Sequence, residues 1–427
     1  MRNFNVYRWA ILIIICVLYF FVCLHRLSPS VIARDLSLSL QADAVMLGII
    51  ASSYFYLYSA MQPVVGYLAD TTGPRKVMSI FFLLSAIGSL IFGLAPNAIV
   101  AVLGRTLIGA GLAGIFVSAL KIFSRWYRKD QFASLTGVMI TIGGLGGLAA
   151  AMPLTYLVLL LGWRGSFVAI GLISVALSVL AWIILRDSPK DKGWPSLADE
   201  DNAAAQTGKG MTVGKRLAIL FGNRDFCMIC LAVFLIYGAA LTFQGLWAIP
   251  YLMDVFGMDK VKAGWTLMAW PLGWAVGGPA AGLLTDKLNL NRKNALLFAL
   301  GLATLLWFVL IFLQGQGQMI IVVPLLFLFG LTGGGALPLS FTITRDLFPF
   351  ELMGTATGLM NTASFLGSAI YMPLSGLLLK SAASGQAGSY SFAAYRLLLI
   401  SFLLFYAIAF IATALLSNRK NPGAPGV

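Results

Sequence analysis

Charged residues are scarce in this chain of 427 residues. Only 10% of them are Asp, Glu, Lys or Arg, against about 25% in a typical soluble domain. Apolar residues make up 59% of the chain. No soluble core could hide so much apolar surface, so lipid must be the main solvent. The shortage of charge therefore disfavours a soluble protein and predicts a membrane protein built from apolar helices of roughly 20 residues.

Histidine and cysteine are also rare. Histidine occurs once, as His25, and cysteine four times, always in or at the start of an apolar segment. The spacing of Cys227 and Cys230 is found in redox and metal sites, but no second ligand pair or nearby histidine accompanies it. We therefore interpret the cysteines as small residues of membrane helices and expect no metal or other cofactor. One histidine and few intramembrane acids also disfavour a membrane enzyme.

The net charge of +14 could indicate a nucleic-acid partner. Its distribution argues against one. We place 21 of the 29 Lys and Arg residues on one side of the membrane and 6 on the other, with Arg26 and Arg105 inside apolar segments. This asymmetry follows the positive-inside rule and predicts that both termini are cytoplasmic. The first apolar run, from Trp9 to about Leu24, lacks a small-residue cleavage site and is interpreted as a retained span.

Twelve apolar segments are predicted to span the membrane. They are about Tyr7–Val31, Ala44–Gly66, Val77–Leu94, Ile99–Phe123, Phe132–Leu160, Ser166–Leu185, Phe226–Leu252, Ala263–Leu284, Ala295–Leu313, Met319–Thr344, Leu352–Leu379 and Ala394–Leu416. The one long polar segment follows the sixth span, and it exceeds the usual length of a loop. We expect an all-α membrane protein with two six-helix bundles, 1–186 and 225–427, and a cytoplasmic linker, 187–224.

A short polar motif between spans 2 and 3 returns in the second half. The motif comprises Gly66, Asp70, Gly73, Arg75 and Lys76, and its looser copy comprises Gly282, Asp286, Arg292 and Lys293. The two acids are 216 residues apart, and two further matches lie at similar offsets: Gly137 with Gly358 at 221, and Pro153 with Pro373 at 220. Near-constant offsets indicate a duplicated bundle, which is a common plan among transporters.

The twelve spans, the central linker and this motif in both halves resemble the major facilitator superfamily. The superfamily's loop pattern is matched at Gly66, Asp70, Gly73, Arg75 and Lys76, whereas the second copy has Leu290 or Asn291 where the second glycine would stand. The resemblance covers almost the whole chain. It implies two pseudo-symmetric bundles around one central site, with inner and outer gates that open alternately because the ligand binds the two conformations differently.

Span 1 is similar to that of the organic-anion and organophosphate antiporter branch. That branch has an arginine facing the central cavity after a tyrosine-bearing apolar run, as in the stretch from Tyr19 to Arg26. Its phosphate exchangers use a second arginine in span 7, where this chain has Leu241. The resemblance therefore implies an organic monoanion, or a zwitterion such as an amino acid, in preference to a sugar phosphate.

The motif residues are the predicted gating residues: Asp70, Gly73, Arg75, Lys76, Asp286 and Arg292. In this hypothesis the carboxylate of Asp70 contacts the N-terminus of a neighbouring helix and a base from the facing half, and thereby holds the outward-open state. A helix N-terminus stabilises an anion by about 0.3–1 kcal/mol. The alternative is a simple turn with positive-inside charge.

Charges within the spans have two interpretations each. An arginine at the centre of a span costs about 2.5–3.5 kcal/mol, so Arg26 either faces an anionic substrate, which its guanidinium can bind through two hydrogen bonds, or extends to the outer surface. The other three candidates are assigned to coupling. His25 carries a proton or faces lipid or another span. Arg105 couples protons beside span 1 or anchors backbone carbonyls. Lys121 lines the cavity or extends to the inner surface.

Polar and aromatic residues recur at helical spacing in several spans. Stripes of this kind either line a cavity or form bonds and packing contacts between helices. The residues predicted to bind substrate are Arg26, Tyr54, Tyr58, Gln244, Trp270, Asn361 and Tyr371. Glycines in span 5, such as Gly143, are interpreted as close helix contacts.

The sequence therefore predicts a secondary active transporter that moves a small organic solute, an organic anion or an amino acid, by alternating access. It is expected to be a monomer in a bacterial inner membrane, with a proton or a counter-substrate as coupling partner. No nucleotide-binding loop is present, so a gradient or exchange must drive it. Two alternatives stay open: a drug or metabolite exporter driven by proton antiport, and a transport-inactive sensor with the same fold.

Overall fold

The computed structural model describes residues 2–194, 213–287, 291–313, 319–381 and 389–417. These residues form helices and short connections, without a strand, which confirms the predicted all-α class. The chain divides into two compact units, Met1–Gln206 and Thr207–Val427. The division falls within the predicted linker, 187–224, whose residues 195–212 lie outside the described part of the chain. The boundaries of the two bundles and the linker, as given in the sequence analysis, stay a prediction.

Unit 1 consists of seven α-helices in the described residues. They are α1 (Arg2–Leu27), α2 (Pro29–Leu40), α3 (Ala44–Thr71), α4 (Pro74–Gly93), α5 (Ala98–Trp126), α6 (Lys129–Ala149) and α7 (Met152–Ile184). Side chains that precede two of them accept the first free backbone N–H groups: Asp43 accepts from Met46 and Asn97 from Val100. These caps explain why α3 and α5 begin where they do. A short 3₁₀ helix, Pro189–Lys192, follows α7.

Unit 2 contains nine α-helices in the described residues and one π-helical turn. They are α8 (Val213–Phe221), α9 (Arg224–Thr242), the π turn (Phe243–Trp247), α10 (Ala248–Phe256), α11 (Lys260–Leu267), α12 (Ala269–Lys287), α13 (Arg292–Phe312), α14 (Met319–Leu347), α15 (Phe350–Ser381) and α16 (Phe392–Ala414). The predicted outer turn at 314–317 and part of the second motif, 288–290, lie outside the described residues.

Eleven helical segments of the described chain are long and apolar enough to cross a membrane. The remaining predicted span, about Ala263–Leu284, falls on α11 and α12, which are separated at Met268. The turn predicted between spans 5 and 6 lies inside α7, where Gly162 has φ 68° and ψ 168°. Only glycine adopts this backbone conformation without strain, so the helix is interrupted there. Helix α1 ends at Leu27, inside predicted span 1. After a break at Ser28, α2 continues to Leu40, beyond the predicted end of that span at about Val31.

Glycines bring helix backbones into direct contact in both units. In unit 1, a Cβ at Gly109 of α5 would lie 2.7 Å from the carbonyl carbon of Tyr54 on α3. In unit 2, a Cβ at Gly330 of α14 would lie 2.9 Å from that of Trp270 on α12. Trp270 follows Tyr54 by 216 residues and Gly330 follows Gly109 by 221, within the range of offsets of the sequence repeat. The duplication seen in the sequence is therefore also a duplication of packing.

The packing of α6 on α1 gives a first testable prediction. A Cβ at Gly146 would lie 2.9 Å from the carbonyl carbon of Phe20, whereas one at Gly144 would meet nothing within 4 Å. Overpacking costs about 1–3 kcal/mol, so Gly146→Ala is expected to lower the thermal unfolding temperature by several degrees. Gly144→Ala, in the same helix turn, is expected to leave it unchanged. Equal unfolding temperatures for the two variants would contradict the packing described.

Candidate functional site

The last turn of α1 holds Arg26 against α3. Its Nη2 donates to the hydroxyl of Tyr58 at 3.4 Å, and its Cζ lies 5.4 Å from the centre of the Tyr58 ring. Tyr54 stands one turn before Tyr58, and the two rings stack with centroids 5.5 Å apart and planes 14° apart. A cation over an aromatic face is stabilised by the ring quadrupole. The structure thus brings together three of the residues predicted to bind substrate.

Two residues of α1 complete the surroundings of Arg26. Tyr19 and Cys23 are among the groups that interact with its charge. Gly143 of α6 makes room for both, because a Cβ there would lie 2.5 Å from the Tyr19 ring and 3.1 Å from the Cys23 Sγ. The sequence analysis did not select Tyr19 or Cys23 as site residues. Their spacing from Arg26, seven and three residues back on one helix, was the available signal.

The groups described around Arg26 are phenolic. The sequence of α1 contains no acidic residue; the acids of α3 and α6 lie near helix ends, at Asp70 and Asp130, and α2 carries Asp35. The hydroxyl of Tyr54 is buried and has no hydrogen-bond partner among the described residues. A guanidinium with a nearby unused hydroxyl can bind an anion through charge-assisted and neutral hydrogen bonds together.

Arg105 of α5 is fully buried in unit 1. Its Nη1 donates to the backbone carbonyl of His25 at 2.8 Å, and its Cζ lies 5.2 Å from the Tyr54 ring and 6.0 Å from the Phe92 ring. These contacts connect α5 to α1, α3 and α4. The geometry is that of an anchor to a carbonyl, one of the two interpretations given above, while proton coupling through Arg105 stays a prediction.

His25 and Arg26 are adjacent in sequence but contact different helices. The His25 ring is buried and lies 5.9 Å from the ring of Phe167 on α7, whereas Arg26 contacts α3. Neither ring nitrogen of His25 has a hydrogen-bond partner among the described residues. His25 therefore lies inside the bundle of unit 1, and proton transfer through it stays a prediction.

Asp70 and Arg75, at the ends of α3 and α4, contact different helices. Asp70, which is exposed, forms an ion pair with Lys121 of α5. Arg75 instead donates to the backbone carbonyl of Trp182 on α7, at 2.8 and 3.1 Å, and lies 4.7 Å from that residue's ring. Lys76 is exposed. Within unit 1, the base that contacts Asp70 is thus Lys121, and contact with a base from the other half stays a prediction.

The carboxylate at the N-terminus of α4 belongs to Asp187, which the sequence analysis did not select. It accepts the backbone N–H of Arg75 at 2.7 Å. Gly73 precedes α4 with φ 93° and ψ 142°, and a Cβ there would lie 2.8 Å from the Asp187 Cγ. A glycine and a helix-capping carboxylate thus meet at the start of span 3. The signal in the sequence was an acid directly after span 6, at the start of the polar segment.

Unit 2 has its own ion pair near the second motif. Arg292 at the start of α13 pairs with Asp346 near the end of α14. Lys293 donates to the backbone carbonyl of Leu416 at 2.6 Å. The side chain of Asp286 lies outside the described residues. Arg292, like Lys121, therefore joins two helices of its own unit.

The substrate candidates of unit 2 occupy different surroundings. Trp270 is buried and stacks on Phe329, with centroids 5.1 Å and planes 9° apart. Tyr371 donates its hydroxyl to Ser401 and so joins α15 to α16. Gln244 is buried within the π turn, and Asn361 is half-buried on α15. The structure does not gather these four into one cluster, in contrast to the three residues of unit 1.

The sequence from residue 11 to residue 372 matches the family model described as Major Facilitator Superfamily. The chain belongs to the Major Facilitator Superfamily. Its family and the solved structures that share its fold are transporters and not enzymes. This protein is therefore an integral membrane transporter of the superfamily, as the repeated motif predicted.

Three relatives from bacteria resemble this chain over most of their length. "Probable sulfoacetate transporter SauU" of Cupriavidus necator is 28% identical over 83% of this chain and 83% of its own. "Hexuronate transporter" of Escherichia coli K12 is 24% identical over 88% of this chain and 89% of its own. "Membrane sensor protein UhpC" of Salmonella typhimurium is 24% identical over 76% of this chain and 74% of its own.

Two solved structures of the superfamily share the fold. A D-xylose–proton symporter superposes with a TM-score of 0.76 at 15% identity, over 98% of this chain and 99% of its own. A bacterial homologue of the human lysosomal transporter Spinster superposes with a TM-score of 0.75 at 16% identity, over 98% and 99%. At these identities the likeness establishes the fold alone.

Proposed function

We propose that this protein transports a small organic anion by alternating access and that Arg26 binds the anionic group. The observation that carries the proposal is the position of Arg26: a guanidinium within an apolar span, held by Tyr58, in a helix without acidic residues. A cation in a span is costly unless it serves a function or faces water. A guanidinium offers two parallel N–H donors to a carboxylate, sulfonate or phosphate.

The named relatives support the same substrate class. Sulfoacetate and hexuronate, which appear in the names of two of them, are both organic anions. Leu241 stands where phosphate exchangers have a second arginine, so we infer a substrate with a single negative charge, in preference to a phosphate ester. The sulfonates and carboxylates of small metabolites fit this description.

The ion pairs at the motif ends are proposed to act in gating. Asp70 with Lys121 joins α3 to α5, and Arg292 with Asp346 joins α13 to α14. Both pairs connect a motif to the fourth predicted span of its own half. The distribution of Lys and Arg supports cytoplasmic termini, and the bacterial relatives support an inner-membrane location.

Counterflow in proteoliposomes tests the proposal. Vesicles loaded with one unlabelled anion at a time, a sulfonate, a uronate, an amino acid or a hexose phosphate, are diluted into a trace of the same labelled compound. We expect saturable accumulation of a monoanion and none of the hexose phosphate. Accumulation of the amino acid alone would refute an organic-anion substrate, and accumulation of the hexose phosphate would refute the single negative charge. Tight binding in a thermal-shift assay without any flux would instead support the sensor alternative.

A further inference from the structure

The seventh span contains a π-helical turn. Residues Phe243–Trp247 join α9 to α10 within one continuous helical segment, and all five are buried. A π turn has i→i+5 hydrogen bonds and holds about one residue more than an α turn. One extra residue rotates the flanking helix by about 100° relative to an uninterrupted α-helix. Such turns are rare and occur frequently at functional sites, so specific contacts must hold this one.

The last residue of the π turn is held by a serine on α15. The indole Nε1 of Trp247 donates to the Ser375 Oγ at 2.7 Å. Ser375 in turn donates to the backbone carbonyl of Met372 at 2.6 Å, so its oxygen is correctly oriented to accept. Both side chains are fully buried. A buried donor left without its acceptor costs about 1–3 kcal/mol, so this bond favours the conformation in which Trp247 reaches Ser375.

The first residue of the turn and the helix after it are also fixed. Phe243 packs among four aromatic rings at centroid distances of 5.3 to 6.1 Å: Tyr251, Trp270, Trp307 and Phe402. Asp254 of α10 accepts hydrogen bonds from Ser389, the backbone N–H of Tyr390 and the Tyr395 hydroxyl. With both flanks fixed by these contacts, the bond between Trp247 and Ser375 links the turn itself to α15.

The turn lies where the repeat places the counterpart of Arg26. The offsets of 216 to 221 between the halves carry position 26 to positions 242–247, which cover the π turn. Gln244 is its second residue. An uncharged amide, which donates and accepts hydrogen bonds, thus stands in the second half where the first half has a guanidinium. This chemistry fits an uncharged hydroxyl, amide or carbonyl group of a substrate.

We propose that Ser375 is a positioning residue: through Trp247 it holds the π turn, and the turn orients Gln244 toward the uncharged polar group of a monoanionic substrate. The substrate part of this inference rests on the proposed function. The structural part, that Ser375 maintains the π turn, does not.

Uptake kinetics test the substrate part. Ser375→Ala is expected to raise the KM of the monoanion about three- to tenfold with little change in kcat, and Ser375→Thr, which keeps the hydroxyl, to restore it. In a Gln244→Ala background, Ser375→Ala should raise KM no further, because no amide remains to be oriented. Additive effects on KM in the double variant, or no effect of Ser375→Ala alone, would overturn the assignment.

Ser368→Ala is the matched control. Ser368 lies on the same helix and is fully buried. It donates to the backbone carbonyl of Tyr237 on α9 at 3.0 Å, about two turns before the π turn begins. Its loss is expected to lower stability as much as the loss of Ser375 while leaving KM unchanged. A rise in KM equal to that of Ser375→Ala would show a general packing effect and overturn the proposal.

Hydrogen exchange tests the structural part without transport. In detergent, peptides covering 243–251 should exchange faster in Ser375→Ala and in Trp247→Phe, and at the wild-type rate in Ser375→Thr. Unchanged exchange in both of the first two variants would overturn the role of Ser375, even if transport is normal. If exchange changes as expected but no monoanion is transported by the wild type, the proposed function fails and the π-turn assignment stands.

Discussion

Replacement of Arg26 by alanine is expected to lower the uptake of an anionic substrate about a hundredfold at equal amounts of folded protein. The guanidinium lies within a span and is oriented by the Tyr58 hydroxyl, so a bound anion would lose its counter-charge in a site partly shielded from water. Removing one partner of such a charge pair costs about 2–5 kcal/mol, and 1.4 kcal/mol is a factor of about ten. Initial rates in proteoliposomes measure the effect.

Three further variants separate charge from geometry. Arg26→Lys keeps the charge but loses the planar pair of donors, so partial uptake is expected. Tyr58→Phe removes the hydroxyl that orients Arg26 and should raise KM a few-fold. Arg164→Ala, which removes a guanidinium that donates to the Ala95 carbonyl at 3.1 Å, is the control and should retain uptake. An anion transported equally well by Arg26→Ala would remove Arg26 from the site.

The substitution Gly73→Ala is expected to cause the largest loss of stability among single changes in the motif. Gly73 has φ 93°, a conformation that costs an L-residue about 1–3 kcal/mol. The added Cβ would also lie 2.8 Å from the Asp187 Cγ, which must move away from the Arg75 N–H that it caps. We expect a fall of several degrees in the unfolding temperature, measured by tryptophan fluorescence in detergent.

Gly66→Ala is the matched control within the same motif. Gly66 has an ordinary helical φ, and a Cβ there would meet nothing within 4 Å, so its unfolding temperature should not change. Asp187→Ala removes the cap and should lower stability by about 0.5–2 kcal/mol. In the Asp187→Ala background, Gly73→Ala should cost less than in the wild type, because only the backbone strain remains. Equal costs in both backgrounds would show that Asp187 does not contact the position.

Much of the fold could be predicted because lipid imposes a simple pattern. Apolar segments of about 20 residues and a polar motif repeated 216 residues later indicated an all-α membrane protein with twelve spans in two halves. The helical structure and the superposed transporters confirm this fold class. The turn at Gly162 was predicted, whereas the breaks at Ser28 and Met268 fall inside predicted spans. The break at Met268 interrupts the helix without interrupting the apolar run, so hydropathy carries no signal there.

The site was only partly predictable for a related reason. Tyr54, Tyr58 and Arg26 could be selected as candidates because one pair has helical spacing and the other residue is a costly charge in a span. Asp187 and Ser375 were missed, since each acts through a contact with a residue more than 100 positions away. The π turn could not be predicted, because one extra residue in a helix that is apolar on all sides does not change the pattern of hydrophobic residues.

The burial of Arg105 has a consequence for biogenesis. Its contacts are the carbonyl of His25 and the rings of Tyr54 and Phe92, and all three precede it in the chain. When the ribosome delivers the fourth span to the insertion machinery, those groups have already been synthesised and can receive the guanidinium. N-terminal segments fold first during translation, so the order of the helices supplies this arginine with partners before it must leave water.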